Sequence, residues 1–352
     1  MSEQQERPGG VATTGRAGRS ARTRIVPAAG ILGVGHYLPP RVVTNADLEQ
    51  RLDTSDEWIR TRTGIRERRM AEPDQATSDL ALPAARMALE RAGRTAADLD
   101  LIIVATVTPD HAFPSTACVL QHELGAKGSA AMDISAACTG FLYGVATAEA
   151  MIRAGSVRYA LVVGAEVLSK ILNWRDRSTA ILLGDGAGAA VLGPCEEGSG
   201  ILSTYFAADG AGGPLVRMPA GGSRMPTTPE TLEQGLNAFW QNGREVYRFA
   251  TQIMGDAAEE ALRRAGLGPE EVSLLVPHQA NYRIIESAAR RFGFPMERVA
   301  VNIDRYGNTS SASIPIALSE ATAEKRLTPG DAVLAVAFGG GLTWASAVFR
   351  WL

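Results

Sequence analysis

The segment ALERAGRTAADLDLIIVA (88–105) returns later in the chain as ALRRAGLGPEEVSLLVPH (261–278), at an offset of 173 residues. Ala88/Ala261, Leu89/Leu262, Arg91/Arg264, Ala92/Ala265 and Gly93/Gly266 are identical pairs, and Leu99, Ile102 and Ile103 fall on Val272, Leu275 and Val276. Each copy reads as a helix end, a glycine stop, a turn and a buried strand. An offset near half of the 352 residues implies two similar halves, 25–195 and 196–352. Two unrelated units sharing one local pattern are the alternative.

Strands and helices alternate on either side of this repeat. LDLIIVATV (99–107), AAMDIS (130–135), YALVVGA (159–165), VSLLVP (272–277), VAVNI (299–303) and AVLAVAF (332–338) are near-continuous apolar runs. Such runs mark strands covered on both faces. SDLALPAARMALERAG (78–93) and GDAAEEALRRAG (255–266) carry helical spacing. The alternation predicts an α/β class with covered sheets. Residues 1–24 are rich in Gly, Ser, Thr and Arg, lack the apolar stretch of a secretory signal, and read as a disordered tail, with a transit peptide as the other reading.

Composition narrows the function. Hydrophobic residues make up 45% and charged residues 21%, as in ordinary globular proteins. The formal charge of −3 supplies no basic field for nucleic acid. No apolar run approaches the about 18 residues of a membrane span. The three cysteines, Cys118, Cys138 and Cys195, are odd in number and form no CxxC, which suggests a reducing compartment, the cytoplasm. The four histidines form no HExxH, so no metal site is expected.

Candidate chemistry gathers at strand ends, where open α/β sheets bind ligands. Cys138 lies between strand AAMDIS and the helical pattern GFLYGVATAEAMIRAG, at or just before a helix amino terminus. The macrodipole there favours a thiolate and lowers the thiol pKa. The alternative is a small buried hydrophobe. Cys118 falls inside a helix and Cys195 at a loop or strand end. His278 ends strand VSLLVP after Pro277, where it faces a cleft or bonds loop backbone. Asn308 stands in DRYGNTSSAS, which also reads as turn and N-cap chemistry. Gly339-Gly340-Gly341 lets backbone approach a ligand, or makes a tight turn. WIRTRTGIRERRM (58–70) sets Arg60, Arg62, Arg66, Arg68 and Arg69 beside Trp58, a composition suited to a nucleotide or phosphate and equally to a solvated face. GDGAGAA (184–190) mimics a dinucleotide fingerprint but leads into a strand pattern, where that motif needs a helix.

Six ordered segments, NADLEQRLDTSDEWIRTRTGIRER, DISAACTGFLYG, GDGAGAAVLG, VPHQANYRI, DRYGNTSSASIP and FGGGLTW, resemble the beta-ketoacyl-acyl-carrier-protein synthase III family, from about residue 28 to the carboxyl terminus. The resemblance implies a thiolase-like fold with two duplicated halves in α-β-α-β-α layers. It implies a Cys138–His278–Asn308 triad and an oxyanion hole of the Cys138 and Gly340 N–H groups. Coenzyme A would bind at Trp58, Arg62 and Arg177, with Asn281 in the pantetheine tunnel. An acidic acyl carrier protein would dock on Arg283, Arg290 and Arg291. The family is a homodimer, and Phe113 would reach the partner's acyl pocket. Gln241 departs from the pattern, since an apolar residue, often methionine, is expected near the tunnel. The implied reaction is decarboxylative condensation of an acyl-CoA with malonyl-carrier protein, without metal or redox cofactor. A thiolase would need a second cysteine near the last glycines, and Ala332 to Leu352 has none. A priming ketosynthase or acyltransferase of a specialised pathway and a non-catalytic acyl-carrier-binding scaffold are the remaining readings.

Overall fold

The computed structural model describes residues 28–352, so the tail read at residues 1–24 lies outside the described residues. β1 (Ala28–Tyr37), β2 (Leu101–Ala105), β3 (Ala130–Ile134), β4 (Ala160–Glu166) and β5 (Gly186–Cys195) form one sheet in the order β1-β5-β4-β2-β3. β6 (Gly200–Ala208), β7 (Val272–Pro277), β8 (Ala332–Gly339) and β9 (Thr343–Arg350) form another in the order β7-β8-β9-β6. In the first, β2 runs parallel to β3 and β4, and β4-β5 and β5-β1 are antiparallel. In the second, β7 is parallel to β8, and β8-β9 and β9-β6 are antiparallel. Order and sense repeat, except that the second sheet lacks a partner equivalent to β3.

VAVNI (299–303), expected as that strand, is not one. Val299 makes an isolated parallel bridge to Leu275, and a short helix starts at Ile303. Gln279 explains the departure: its Oε1 accepts the N–H groups of Asn302 (3.0 Å) and Ile303 (3.2 Å), which draws the chain off the sheet edge.

The offset of 173 persists in three dimensions. Leu101 pairs with Ala160, and Leu274 with Val333. The 3-10 turns Ala137–Thr139 and Ser310–Ala312 keep it too, and each begins with a non-glycine residue at positive φ, Ala137 at 47° and Ser310 at 51°.

The principal helices are α1 (Asp56–Thr63), α2 (Thr77–Arg91), α3 (Gly140–Arg153), α4 (Gly243–Ala265), α5 (Tyr282–Arg291) and α6 (Ser313–Ala323). Strand alternation sorts them into layers. Leu101 and Ile103 join Leu274 and Val276 in a central core with Phe141, Leu142 and Val145 of α3 and Ile314, Ala317 and Leu318 of α6. Ile102 and Val104 face outward onto α2, and Leu275 faces outward onto α4 and α5. The result is the α-β-α-β-α sandwich of a thiolase-like fold. The glycines at 184–188 run into strand β5 rather than a helix.

The two halves touch closely at Gly164 of β4, where an added Cβ would lie 2.2 Å from the Ser311 carbonyl oxygen. Overpacking of this kind costs about 1–3 kcal/mol. Gly164→Ala should therefore lower the urea midpoint with an unchanged m-value; an unchanged midpoint would show that the turn yields freely.

Candidate active site

Cys138 sits in the turn between β3 and α3, at the amino end of a 14-residue helix. The Thr139 hydroxyl locks this turn, 2.6 Å from the Ala136 carbonyl oxygen and 2.9 Å from Thr343 Oγ1. Gly339 backs it so closely that a Cβ there would lie 2.8 Å from the Cys138 nitrogen. The helix-dipole argument leads one to expect a lowered thiol pKa. Burial instead pushes the thiol up to about 12, opposed by a hydrogen bond with Ser310 and reinforced by the nearby Glu166 charge. Cys138 keeps part of its surface open to a pocket, but protein packs densely on its other sides. Desolvation of the charged form thus outweighs the dipole at rest. Cys118 is exposed on a separate helix, Thr116–Leu124, and Cys195 closes β5.

His278 follows β7 and is 1% exposed. Its N–H donates to the Val336 carbonyl (2.8 Å), its Nδ1 lies 2.7 Å from Ser313 Oγ, and its ring stands edge-on to Phe338 at 5.5 Å. Burial pulls its pKa down to about 3, so the imidazole is neutral near pH 7.

Asn308 is clamped by backbone bonds: its N–H donates to Leu182 O (2.8 Å) and its carbonyl accepts from Gly184 N–H (3.0 Å). Its Oδ1 accepts the Ser310 N–H at 2.8 Å. A backbone N–H can only donate, so this bond fixes the amide and leaves Nδ2 as the unused donor.

Cys138, His278, Asn308, Gly339 and Gly340 line one pocket of about 840 Å³, mouth included. Val107, Leu168, Leu183, Phe239, Ile284 and Phe338 make it largely apolar. Gln241 lines it too, and its amide forms no hydrogen bond with a described residue. Phe113 lies outside it, 86% exposed.

At Trp58, the Arg62 and Arg177 guanidinium groups lie 4.8 and 5.2 Å from the ring centroid, and Arg177 also pairs with Asp53 at 3.4 Å. Two other arginines of the stretch make structural contacts. Arg60 pairs with Asp56, and Arg68 is fully buried on Asn45 Oδ1 and the Val43 and Ile181 carbonyls. Asn281 lines the pocket, but its amide is engaged: Nδ2 donates to Arg62 O (3.0 Å), and Oδ1 accepts from Arg283 N–H (2.9 Å). Of the three docking candidates, Arg283 donates to Thr61 O and Arg290 pairs with Glu286. Arg291 is held between Asp256 and Glu259 at 2.8 and 2.9 Å, which cancels its charge. Glu166, Ser310 and Ser313 were not foreseen. The only available signal was a glutamate closing the apolar strand YALVVGA; the serines read as turn residues.

Two duplicated sheets meeting at a pocketed thiol define a condensing enzyme of the thiolase fold. The family model for "3-Oxoacyl-[acyl-carrier-protein (ACP)] synthase III" matches residues 132–210, and that for its C-terminal part matches residues 262–351. A beta-ketoacyl-[acyl-carrier-protein] synthase III of Caldanaerobacter subterraneus subsp. tengcongensis is 57% identical over 324 residues, 92% of this chain and 98% of the relative. The crystal structure of 3-oxoacyl-[acyl-carrier-protein] synthase III from Aquifex aeolicus VF5 superposes with a TM-score of 0.85 at 47% identity, covering 92% of this chain and 100% of that one. The priming beta-ketosynthase of the R1128 polyketide pathway superposes with a TM-score of 0.87 at 36% identity, covering 94% and 98%. The chain belongs to the beta-ketoacyl-acyl-carrier-protein synthase III family, and is an acyltransferase of the condensing kind.

The unfolded imidazole titrates near 6.5 and the folded one near 3, so the unfolded chain takes up the proton first. The stability that follows from a neutral His278 is complete above 6.5 and is lost as the pH falls toward 3. Nitrogen-labelled spectra should show one imidazole that does not titrate between about pH 8 and pH 5, with the proton on Nε2 and the Ser313 hydroxyl donating to Nδ1. Ser313→Ala should populate both tautomers. Titration of His278 near its ordinary value would contradict this.

Proposed function

We propose that the protein begins fatty-acid synthesis by condensing an acyl-CoA starter with malonyl-acyl carrier protein, giving 3-oxoacyl-carrier protein and carbon dioxide. The observation that carries this is the pocket that brings together Cys138 from one half and His278 and Asn308 from the other. The Cys138 thiolate attacks the starter thioester, and the Cys138 and Gly340 N–H groups stabilise the oxyanion. Coenzyme A leaves an acyl-enzyme. Malonyl-carrier protein follows, and neutral His278 and the Asn308 Nδ2 donor hold its thioester oxygen while carbon dioxide departs. The resulting carbanion attacks the acyl carbon, the bond to Sγ breaks, and Cys138 leaves as a thiolate that takes up a proton from solvent. The half-reactions transfer an acyl group and release carbon dioxide with no net oxidation or reduction, so the scheme uses no redox cofactor and calls on no metal.

Adenine of coenzyme A would insert between Trp58 and Arg177, parting a stack that the side chains make with each other. Arg283, and Arg290 in its single exposed pair with Glu286, would carry more of the docking charge for the carrier protein than Arg291, which is held between two carboxylates. A homodimer fits the exposed Phe113 and the unpartnered outer edge of β3. In that dimer Phe113 would enter the partner's acyl pocket. No helix among the described residues is long and apolar enough to cross a membrane. The domain division at 195/196 accords with two sheets whose strands lie on either side of it. Priming of a specialised pathway is the second reading, favoured by the polar Gln241 in a largely apolar pocket.

Intact-mass analysis with a panel of acyl-CoAs should show adducts on Cys138, and Cys138→Ser should abolish them. Labelling that survives this change would sink the cysteine assignment, and carrier binding without coenzyme A release would support a scaffold. Short starters would indicate fatty-acid initiation, and bulky ones a priming step. His278→Ala and Asn308→Ala should keep acylation but slow malonyl decarboxylation by about 10²–10³-fold, the cost of one oxyanion donor elsewhere. Trp58→Ala should raise the KM for acyl-CoA about tenfold with little change in kcat, since base stacking contributes about 1–3 kcal/mol.

A further inference from the structure

Glu166 closes β4 with a buried carboxylate for which the condensation chemistry has no role. Five donors surround it. Thr106 Oγ1 (3.1 Å), the Val107 N–H (3.1 Å) and Thr108 Oγ1 (2.7 Å) come from the loop after β2. Ser310 Oγ and Ser311 Oγ, at 3.0 Å each, come from the other half. No cation pairs with it among the described residues. Apart from Ser311, whose one proton is shared with the Ala105 carbonyl, these groups donate to Glu166, a set that suits an ionised carboxylate. Ser310 connects it to the pocket: its hydroxyl donates to Glu166 Oε1, and the residue lines the pocket together with Cys138.

We propose that Glu166, acting through the Ser310 hydroxyl, accepts the Cys138 proton during acylation and returns it to the departing coenzyme A. As the bond from Sγ to the acyl carbon forms, the thiol proton passes to Ser310 Oγ and the Ser310 proton to Glu166 Oε1. As the old carbon–sulfur bond breaks with its electron pair on sulfur, the protons shift back and coenzyme A leaves as the thiol. Burial strengthens the basicity of Glu166 and weakens that of His278, whose Nδ1 is in any case taken by Ser313. Cys138 is the titratable group that faces Glu166; the loop after β2 and the Ser310–Ser311 turn present only hydroxyls and one N–H. The inference rests on the proposed acylation of Cys138.

The test times the acylation of the full chain by acetyl-CoA across pH, by rapid quench and mass analysis, for wild type, Glu166→Gln and Ser310→Ala. Glu166→Gln keeps the shape but presents a donor where the relay needs an acceptor. Ser310→Ala removes the link and leaves the carboxylate in place, so it remains informative should Glu166→Gln misfold. Both should slow acylation about 100-fold, within the range of general-base effects, and remove its acidic limb. Ser310→Ala, which keeps the backbone N–H that aims Asn308, should, once acylated by long incubation, lose much less in condensation with malonyl-carrier protein than in acylation. Unchanged acylation with an unchanged pH profile would overturn the relay. Equal loss in both half-reactions would also overturn it, by reducing Glu166 to a structural role. A wild-type protein that takes no acyl group would overturn the condensing reading itself.

Discussion

The end of β4 meets the Ser310–Ser311 turn across the boundary between the halves, and the site depends on that contact. Burying a carboxylate costs several kcal/mol unless its lone pairs are bonded. Glu166 is satisfied only when the loop after β2 and the turn before α6 both present their hydroxyls. Gly164, two residues earlier, leaves no room for a side chain against Ser311. Together these constraints admit one docking of the halves. That docking sets the Cys138 turn beside the Ser310 turn, and the Ser310 N–H in turn aims the Asn308 amide. Geometry near the reacting atoms is thus set by atoms one layer behind them.

Much of this was legible from local pattern. Strands buried on both faces lose the polar alternation of half-exposed ones, so LIIVA and LVVGA stood out, and the helix–turn–strand repeat gave the offset. Cys138 and His278 were visible because a reactive residue type followed such a strand. VAVNI failed because its β pattern competes with one buried side chain, Gln279, from a segment 20 residues earlier. The arginine-rich stretch failed in part for the same reason. Arg68 reads like its neighbours, yet lies under the Ile181 carbonyl, a contact 113 residues away that no local pattern announces. The rise in the thiol pKa has no local signal, because the dipole belongs to α3 alone, whereas the burial comes from distant segments such as Gly339 and the added charge from Glu166.

Duplication also explains why the two halves do different chemistry. At the offset of 173, Cys138 falls on Ser311, each the second residue of its 3-10 turn. The backbone solution is shared, down to the positive φ of the preceding residue. The side chains diverge: the thiol faces the pocket, whereas the Ser311 hydroxyl lies against the Ala105 carbonyl and Glu166. One copy therefore presents a thiol to the pocket, and the other spends the same position on holding the halves together. What the second copy offers the pocket instead are hydrogen-bond donors, from Asn308 three residues before its turn residue and from His278 at the preceding strand end. A fold made of two like parts can then place bond-making on one side and charge stabilisation on the other. Burial enforces that division, raising the thiol and lowering the imidazole so that neither side is charged before the substrate arrives.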